Sequence, residues 1–220
     1  MSELYQRWNT LWTRIDRATS ESGRPKGSVR LLAVSKFQST DSIRALYDLG
    51  QRDFGENYVQ EALRKQAELA DLKDLCWHFI GPIQRNKTSA IATHFDWVHS
   101  VDRFLIAERL STHRPDTLPP LQICLQVNVD DEISKSGCKL EDVPDLVTAI
   151  MPLPGLELRG LMAIPAPGHT RAFAILSRLM QSWPQLDTLS MGMSADLEEA
   201  VIQGSTWLRV GTALFGSRTH

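Results

Sequence analysis

Short apolar runs alternate with longer amphipathic segments from residue 31 onward, and no other feature of the sequence restricts the fold as strongly. Eight runs are predicted to be strands, and each of the first seven is followed by a segment with helical spacing of apolar residues. The predicted strands are residues 31–35, 53–56, 76–80, 96–99, 121–129, 156–164, 188–191 and 207–210. The predicted helices are residues 40–49, 58–69, 86–94, 102–111, 140–151, 170–183 and 194–203.

Repeated β-α units predict a parallel sheet with its helices outside, and eight units in 220 residues predict a closed (β/α)8 TIM barrel that fills residues 1–220 as one domain. An open, doubly wound sheet is the alternative, but the turn after its first strand, at residues 35–41, contains no glycine. The proline-rich segments 114–120 and 164–168 are too short to be linkers between domains.

An extra helix is predicted before the first strand. Its apolar residues fall at helical spacing and form one stripe, which we expect to pack on the barrel; a helix that binds a partner is the alternative. The stripe consists of Leu4, Trp8, Leu11, Trp12 and Ile15.

Charge and cysteine content exclude several classes of protein. The chain has 24 Lys and Arg against 26 Asp and Glu, so a net charge of −2 gives no basic surface for nucleic acid. No apolar run is long enough to cross a membrane, and the amino terminus lacks the apolar core of a signal peptide. The three cysteines, Cys76, Cys124 and Cys138, form no C-x-x-C pair, so we expect no zinc ribbon, no other metal and a cytoplasmic location.

Lys36 is the most suggestive single residue, because it follows the first strand at the end of a barrel that usually carries the active site. Partial loss of solvent there favours the neutral amine, which can react with an aldehyde to form a Schiff base. A lysine that extends into solvent is the alternative.

Two glycine-containing turns follow the seventh and eighth strands, where barrels commonly bind phosphate. In the sequence SMGMS at residues 190–194, Ser194 is predicted to cap a helix and Gly192 to let a ligand approach the backbone. The second turn is RVGT at residues 209–212. Together with Lys36, the two turns predict a site for a phosphorylated aldehyde.

Seven ordered motifs resemble those of the pyridoxal phosphate homeostasis protein family. They are AVSK at 33–36, FGENYVQE at 54–61, HFIGPIQRNK at 78–87, SKSG at 134–137, RGLMAIPAP at 159–167, SMGMS at 190–194 and RVGTALFG at 209–216. This family is similar in fold to the N-terminal barrel of alanine racemase. The resemblance implies that the chain binds pyridoxal 5′-phosphate (PLP) and carries or regulates the cofactor.

The resemblance also implies roles for individual residues. Lys36 would be the Schiff-base lysine, and Arg209 would face the pyridine nitrogen. The phosphate would meet Ser194 and the backbone of Met191, Gly192 and Met193 on one side, and Gly211 and Thr212 on the other. Asn57 and His78 would lie near the ring, although His78 is equally well explained as a core histidine.

The sequence departs from the family pattern at two places near the site. Phe37, Gln38 and Ser39 follow Lys36 where the family often has Thr-Lys-Pro, so one loop lysine is absent. Arg85 stands where a small polar residue is frequent. The segment between Pro167 and Leu186 is also short for the family.

An amino-acid racemase is the alternative function, and it needs a second acid or base opposite the lysine. The resemblance implies that alanine racemase takes this tyrosine from an added β-domain, which we do not expect here. Of Tyr5, Tyr47 and Tyr58, only Tyr58 falls near a strand end. A cationic Arg209 would also disfavour protonation of the pyridine nitrogen and weaken the ring as an electron sink.

We therefore expect a binding protein rather than an enzyme. We expect it to be a monomer, with PLP-dependent apoenzymes as recipients of the cofactor. A Schiff-base aldolase or another phosphate-binding barrel without PLP is a third possibility, which would keep Lys36 and the two phosphate turns but would not require Arg209.

Overall fold

The computed structural model describes residues 3–132 and 135–216, and the strands within these ranges form a closed parallel barrel in sequence order. This confirms the predicted (β/α)8 architecture. The strands are β1 (Arg30–Val34), β2 (Asp53–Glu56), β3 (Cys76–Phe79), β4 (Trp97–Val101), β5 (Leu121–Gln126), β6 (Leu156–Met162), β7 (Thr188–Ser190) and β8 (Trp207–Val210).

Helices follow all eight strands and surround the barrel. They are α2 (Thr40–Asp48), α3 (Val59–Glu68), α4 (Thr88–His94), α5 (Phe104–His113), α6 (Val143–Ile150), α7 (Arg171–Met180), α8 (Leu197–Ile202) and α9 (Thr212–Phe215), with α1 (Glu3–Glu21) before the first strand. Four predicted helices begin two or three residues too early, among them α5, which begins at Phe104 rather than at residue 102. A 3₁₀ turn precedes α4 and another precedes α6, and α8 begins at Leu197 rather than at Ser194.

The barrel closes through the pairing of β1 with β8. Leu32 lies opposite Arg209 in this pair, and Ala33 lies opposite Val210. The carboxyl end of β1, which leads into Lys36, therefore lies beside the strand that carries Arg209. Residues far apart in the sequence meet at the same end of the barrel.

Side chains alternate between the two faces of each strand, so one set points outward to the helices and the other points into the barrel. Outward-facing residues such as Leu31, Ala33 and Phe54 pack against the helices in one large apolar core. Inward-facing Trp97, Cys124 and Met162 form a separate small cluster. The inner space also contains polar side chains, and this polarity distinguishes it from the outer core.

Helix α1 packs against α8 and α9, next to the turns that follow β7 and β8. Leu11 and Ile15 are buried there, and Nε of Arg14 lies 2.6 Å from Oε1 of Glu198. Nη1 of Arg7 donates a hydrogen bond to the carbonyl oxygen of Phe215 at 2.8 Å. The expectation that the apolar stripe of α1 packs on the barrel is confirmed.

Candidate functional site

A cavity of about 360 Å³ opens at the carboxyl ends of the strands. Seven of the ten residues that the sequence predicted for the site line it: Lys36, Asn57, Met193, Ser194, Arg209, Gly211 and Thr212. The other described lining residues are Val34, Gln38, Ile80, Ile164, Ala195 and Gly216. His78, Met191 and Gly192 do not line the cavity.

Lys36 lies in the turn after β1, two residues beyond Val34, and it is half-buried at the cavity. The next residue, Phe37, has a φ of 62°, a left-handed conformation that is unfavourable for a bulky side chain. Gln38 lines the cavity, and Ser39 caps α2 by accepting a hydrogen bond from the amide of Ser42 at 3.2 Å. The unusual loop sequence therefore includes one cavity residue and one helix cap.

Arg209 is 5% exposed and is tied to the backbone of β7 and of the segment after β6. Nη1 donates to both the carbonyl oxygen of Ser190, at 2.6 Å, and its Oγ, at 2.8 Å. Nη2 donates to the carbonyl oxygen of Ala163 at 2.8 Å. Burial lowers the pKa of Arg209 to about 10, so the guanidinium remains cationic at neutral pH.

Asn57 follows β2 and presents an amide oxygen to the cavity. Its Oδ1 is buried and has no hydrogen-bond partner. The adjacent backbone is closely packed, because a Cβ on Gly81 would lie 2.2 Å from the carbonyl oxygen of Asn57. A buried polar atom without a partner is costly, so Oδ1 is suited to receive a hydrogen bond from a ligand.

The turn after β7 differs from its predicted form. Ser194 does not cap α8, because that helix begins at Leu197 and is preceded by Asp196. The carboxylate of Asp196 instead accepts a hydrogen bond from the amide of Met193 at 2.6 Å. Oγ of Ser194 accepts one from the amide of Ala213 at 3.3 Å, which connects this turn to α9.

Gly192 allows the same turn to pack closely against its neighbours. Its φ is 92°, and an added Cβ would lie 2.4 Å from Cβ of Ala200 and 2.8 Å from Cδ2 of Leu208. The sequence predicted that this glycine admits a ligand to the backbone, but the close neighbours are a helix and a strand of the protein itself. Met191 is fully buried, and its amide donates to the carbonyl oxygen of Trp207 at 3.1 Å.

His78 lies inside the barrel with no exposed surface. Its Nδ1 is 2.9 Å from Nε2 of His99, its Nε2 is 3.1 Å from Oδ1 of Asp53, and its ring stacks on Trp97. This placement agrees with the alternative left open by the sequence, a core histidine with satisfied hydrogen bonds. Cys76 lies beside it, with Sγ 3.3 Å from Nε2.

Sequence reasoning missed two polar residues of the barrel interior, His99 and Ser190. Nδ1 of His99 lies 2.7 Å from Oγ of Ser190, which in turn contacts Arg209. A chain of hydrogen bonds therefore runs from the cavity through His78 to Asp53. For Ser190 the signal was present in the sequence, since it is the first residue of SMGMS and the last residue of the predicted strand's inward-facing side.

Several other sequence features lie away from the cavity. Tyr58 is 50% exposed, and the centroid of its ring lies 5.3 Å from that of Phe37. It does not line the cavity. Arg85 is exposed in a 3₁₀ turn. Nζ of Lys135 lies 3.3 Å from a carboxylate oxygen of Asp130, and Ser134 of the SKSG motif lies outside the described residues.

None of the helices described here combines the length and the apolar character needed to span a membrane.

Residues 11–219 match the family model described as alanine racemase, N-terminal domain. A pyridoxal phosphate homeostasis protein of Pseudomonas aeruginosa is 57% identical over 226 residues, covering 100% of this chain and 98% of the relative. One from Escherichia coli K12 is 46% identical, covering 94% of this chain and 93% of the relative.

Solved structures give the same result. PipY of Synechococcus elongatus with PLP bound is 41% identical, with a TM-score of 0.78 and coverage of 92% of this chain and 100% of PipY. Alanine racemase from Bartonella henselae is 16% identical and shares the fold, with a TM-score of 0.69 and coverage of 93% of this chain and 58% of the racemase. The chain therefore belongs to the pyridoxal phosphate homeostasis protein family, within the larger group defined by the N-terminal domain of alanine racemase.

Proposed function

We propose that this protein binds PLP in the cavity at the carboxyl ends of the strands and carries or buffers the cofactor. One observation carries the proposal: a single cavity brings together a primary amine, a buried guanidinium and two hydroxyl groups from three different strand ends. These groups belong to Lys36, Arg209, Ser194 and Thr212. PipY, a relative of this chain, has a solved structure with PLP bound.

The residues present fit this cofactor. None of the described lining residues has a carboxylate, whereas Lys36 and Arg209 supply two cations, so the cavity suits an anionic phosphate. The unpartnered Oδ1 of Asn57 offers an acceptor that nothing in the described protein satisfies. The volume lies in the range of pockets for small cofactors, roughly 300–1,000 Å³.

The lining residues divide into three roles. Ser194 and Thr212 supply hydroxyl donors for the phosphate, and Gly211 lines the same cavity. Arg209, fixed by Ser190 and Ala163, keeps a positive charge in the cavity. Lys36 supplies the amine. The aldehyde of bound PLP supplies an electrophilic carbon that a lysine amine can attack, with loss of one water.

The groups in the cavity that can accept a proton favour a carrier of the cofactor over a racemase. Among the described lining residues, Lys36 is the one side chain able to act as a base, because Arg209 stays cationic. Two-base racemisation requires a second group on the other side of the substrate carbon. Tyr58, the candidate from the sequence, does not line the cavity.

We further propose that the chain acts as one domain and as a monomer in the cytoplasm, and that PLP-dependent apoenzymes receive the cofactor. One barrel supplies an amine, a guanidinium and two hydroxyl groups to the cavity, which supports a site contained in a single domain.

Borohydride reduction of the PLP-loaded protein tests the proposal. Peptide mapping should find the pyridoxyl mass on the peptide that contains Lys36, and Lys36→Ala should remove it. Lys87→Ala is the matched control, because this lysine lies outside the cavity. Label found only on Lys87, Lys135 or Lys139 would contradict the assignment.

Incubation with L-alanine in deuterated water separates a carrier from a racemase. We expect slow exchange of the α-proton, catalysed by one base, without inversion of the amino acid. Inversion at rates typical of enzymes, roughly 1–10³ per second, would contradict the carrier function.

A further inference from the structure

Lys65 lies on α3 but is 2% exposed, which is unusual for a lysine. Its Nζ lies 2.6 Å from the carbonyl oxygen of Ser35, 2.7 Å from Oε1 of Glu56 and 2.7 Å from Oε1 of Glu61. An ammonium has three hydrogens, so these three acceptors satisfy it fully. We call Lys65, Glu56 and Glu61 the Lys65 cluster.

The Lys65 cluster holds both peptide groups that adjoin Lys36. The peptide group before Lys36 carries the carbonyl of Ser35, which accepts from Lys65. The peptide group after Lys36 carries the amide of Phe37, which donates to Oε1 of Glu61 at 2.5 Å. The orientations of these two peptide planes define φ and ψ of Lys36. These hydrogen bonds therefore fix the backbone of Lys36, and none of them involves its side chain.

The same contacts account for the strained conformation at Phe37. A non-glycine residue in the left-handed region costs of order 1–3 kcal/mol and persists only where surrounding contacts hold it. Phe37 has a φ of 62°, and its side chain is 59% exposed, so its ring supplies little of the restraint. The hydrogen bond from its amide to Glu61 is a charged contact at the residue itself.

Glu56 completes the cluster from the end of β2. Its side chain is fully buried, and its Oε1 accepts from Oγ of Ser35 at 2.6 Å as well as from Lys65. Burial raises the pKa of Glu56, and the positive charge of Lys65 opposes this shift. The chain therefore keeps buried charges directly behind the loop that carries Lys36, where an apolar core would have been less costly.

From this geometry we infer that Glu61 and Lys65 are positioning residues, which direct the amine of Lys36 into the cavity by fixing the two peptide groups beside it. The inference rests on the proposed function in one respect, that Lys36 is the residue that reacts with PLP. Neither Glu61 nor Lys65 lines the cavity, so neither contacts the cofactor site directly.

The test compares two ligands in four proteins. PLP can bond to Lys36, whereas pyridoxamine 5′-phosphate has the same ring and phosphate but no aldehyde. The variants are Glu61→Ala, Glu61→Gln and the matched control Glu68→Ala, which lies on the same helix and bonds Thr40 instead. The readouts are the rate of borohydride-trapped labelling of Lys36 and the affinity for pyridoxamine 5′-phosphate.

We expect Glu61→Ala to slow labelling by about tenfold, the scale of one lost charged hydrogen bond, and to leave the affinity for pyridoxamine 5′-phosphate within about twofold. Glu61→Gln keeps an oxygen acceptor and should restore part of the rate, and Glu68→Ala should match the wild type. Unchanged labelling in Glu61→Ala would overturn the inference, as would an equal loss for both ligands, which indicates general damage to the site.

Hydrogen exchange of the Phe37 amide gives a readout that needs no cofactor. The amide should be protected in the wild type and lose protection in Glu61→Ala or Lys65→Met, whichever folds. Protection unchanged in both variants would overturn the inference. A wild type that is not labelled at Lys36 would instead contradict the proposed function, so the two failures are distinguishable.

Discussion

Nδ1 of His78 lies 2.9 Å from Nε2 of His99 in the barrel interior, and the groups at the two ends of this pair fix its direction. Arg209 donates to Oγ of Ser190, which leaves the hydroxyl hydrogen of Ser190 available to donate to Nδ1 of His99. His99 then donates from Nε2 to His78, and His78 donates from Nε2 to the carboxylate of Asp53. The bonds from the cavity to Asp53 therefore have one consistent order.

The first prediction is that the hydrogen bonds of His78 and His99 place a ring proton on Nε2 of each and leave Nδ1 as an acceptor. Two-dimensional ¹⁵N NMR of the ring nitrogens should show a protonated Nε2 and a bare Nδ1 in His78 and in His99. A proton on Nδ1 of either buried histidine would contradict the order of the bonds.

The second prediction concerns acid stability. Burial lowers the pKa of His99 well below 6.5, and the positive charge of Arg209 adds to this shift. Below about pH 6.5 the unfolded chain binds a proton that the folded chain does not, so stability falls as the pH drops, by up to about 1.4 kcal/mol per pH unit from this residue. Above that pH the residue contributes no slope.

Urea unfolding between pH 4.5 and 8 measures this effect. The slope below pH 6.5 should be smaller in His99→Gln than in the wild type. Identical slopes in the two proteins would contradict the prediction.

The third prediction concerns the two hydroxyl groups of the cavity. Ser194→Ala and Thr212→Ala should each weaken PLP binding by about tenfold or more, because a hydrogen bond to a charged group contributes roughly 1.5–3 kcal/mol. Pyridoxal lacks the phosphate and should bind both variants as it binds the wild type. Fluorescence titration measures all of these affinities, and equal losses for PLP and pyridoxal would remove the phosphate assignment.

The fourth prediction separates backbone strain from packing at two glycines. Gly50 has a φ of 98° with nothing within 4 Å of an added Cβ, whereas Gly192 has a φ of 92° and close contacts to Ala200 and Leu208. Gly50→Ala should cost about 1–2 kcal/mol from conformation alone. Gly192→Ala should cost a further 1–3 kcal/mol, roughly, because the core is overpacked. Equal costs in chemical denaturation would show that the turn after β7 relaxes freely.

Periodicity was sufficient to predict the barrel because a strand needs only a short apolar run and a helix only one apolar face. The beginning of α8 was not predictable in this way. Ser194 has the side chain of a typical helix cap, but Asp196 lies two residues later and its carboxylate binds the amide of Met193 instead. Two capping residues so close together compete, and only the tertiary contact of Ser194 with Ala213 decides between them.

The positions that line the cavity followed from the strand ends, but the supporting residues did not. Lysine is usually found at the protein surface. Lys65, however, lies three residues after buried Ala62 and four before buried Leu69, on the apolar side of α3. That spacing was a usable signal. Glu61 lies one helical turn before Lys65, but the other two partners, Ser35 and Glu56, come from the ends of β1 and β2, and no local pattern places them beside the lysine.

The pairing of β1 with β8 also governs when the protein becomes able to hold its cofactor. A ribosome delivers Lys36 early, but the strand that lies beside β1 and carries Arg209 is the last of the eight to be made. A nascent chain that lacks β8 would carry the reactive lysine with neither the guanidinium nor the Thr212 hydroxyl. The full set of groups proposed to hold PLP is therefore assembled when the last strand joins the barrel.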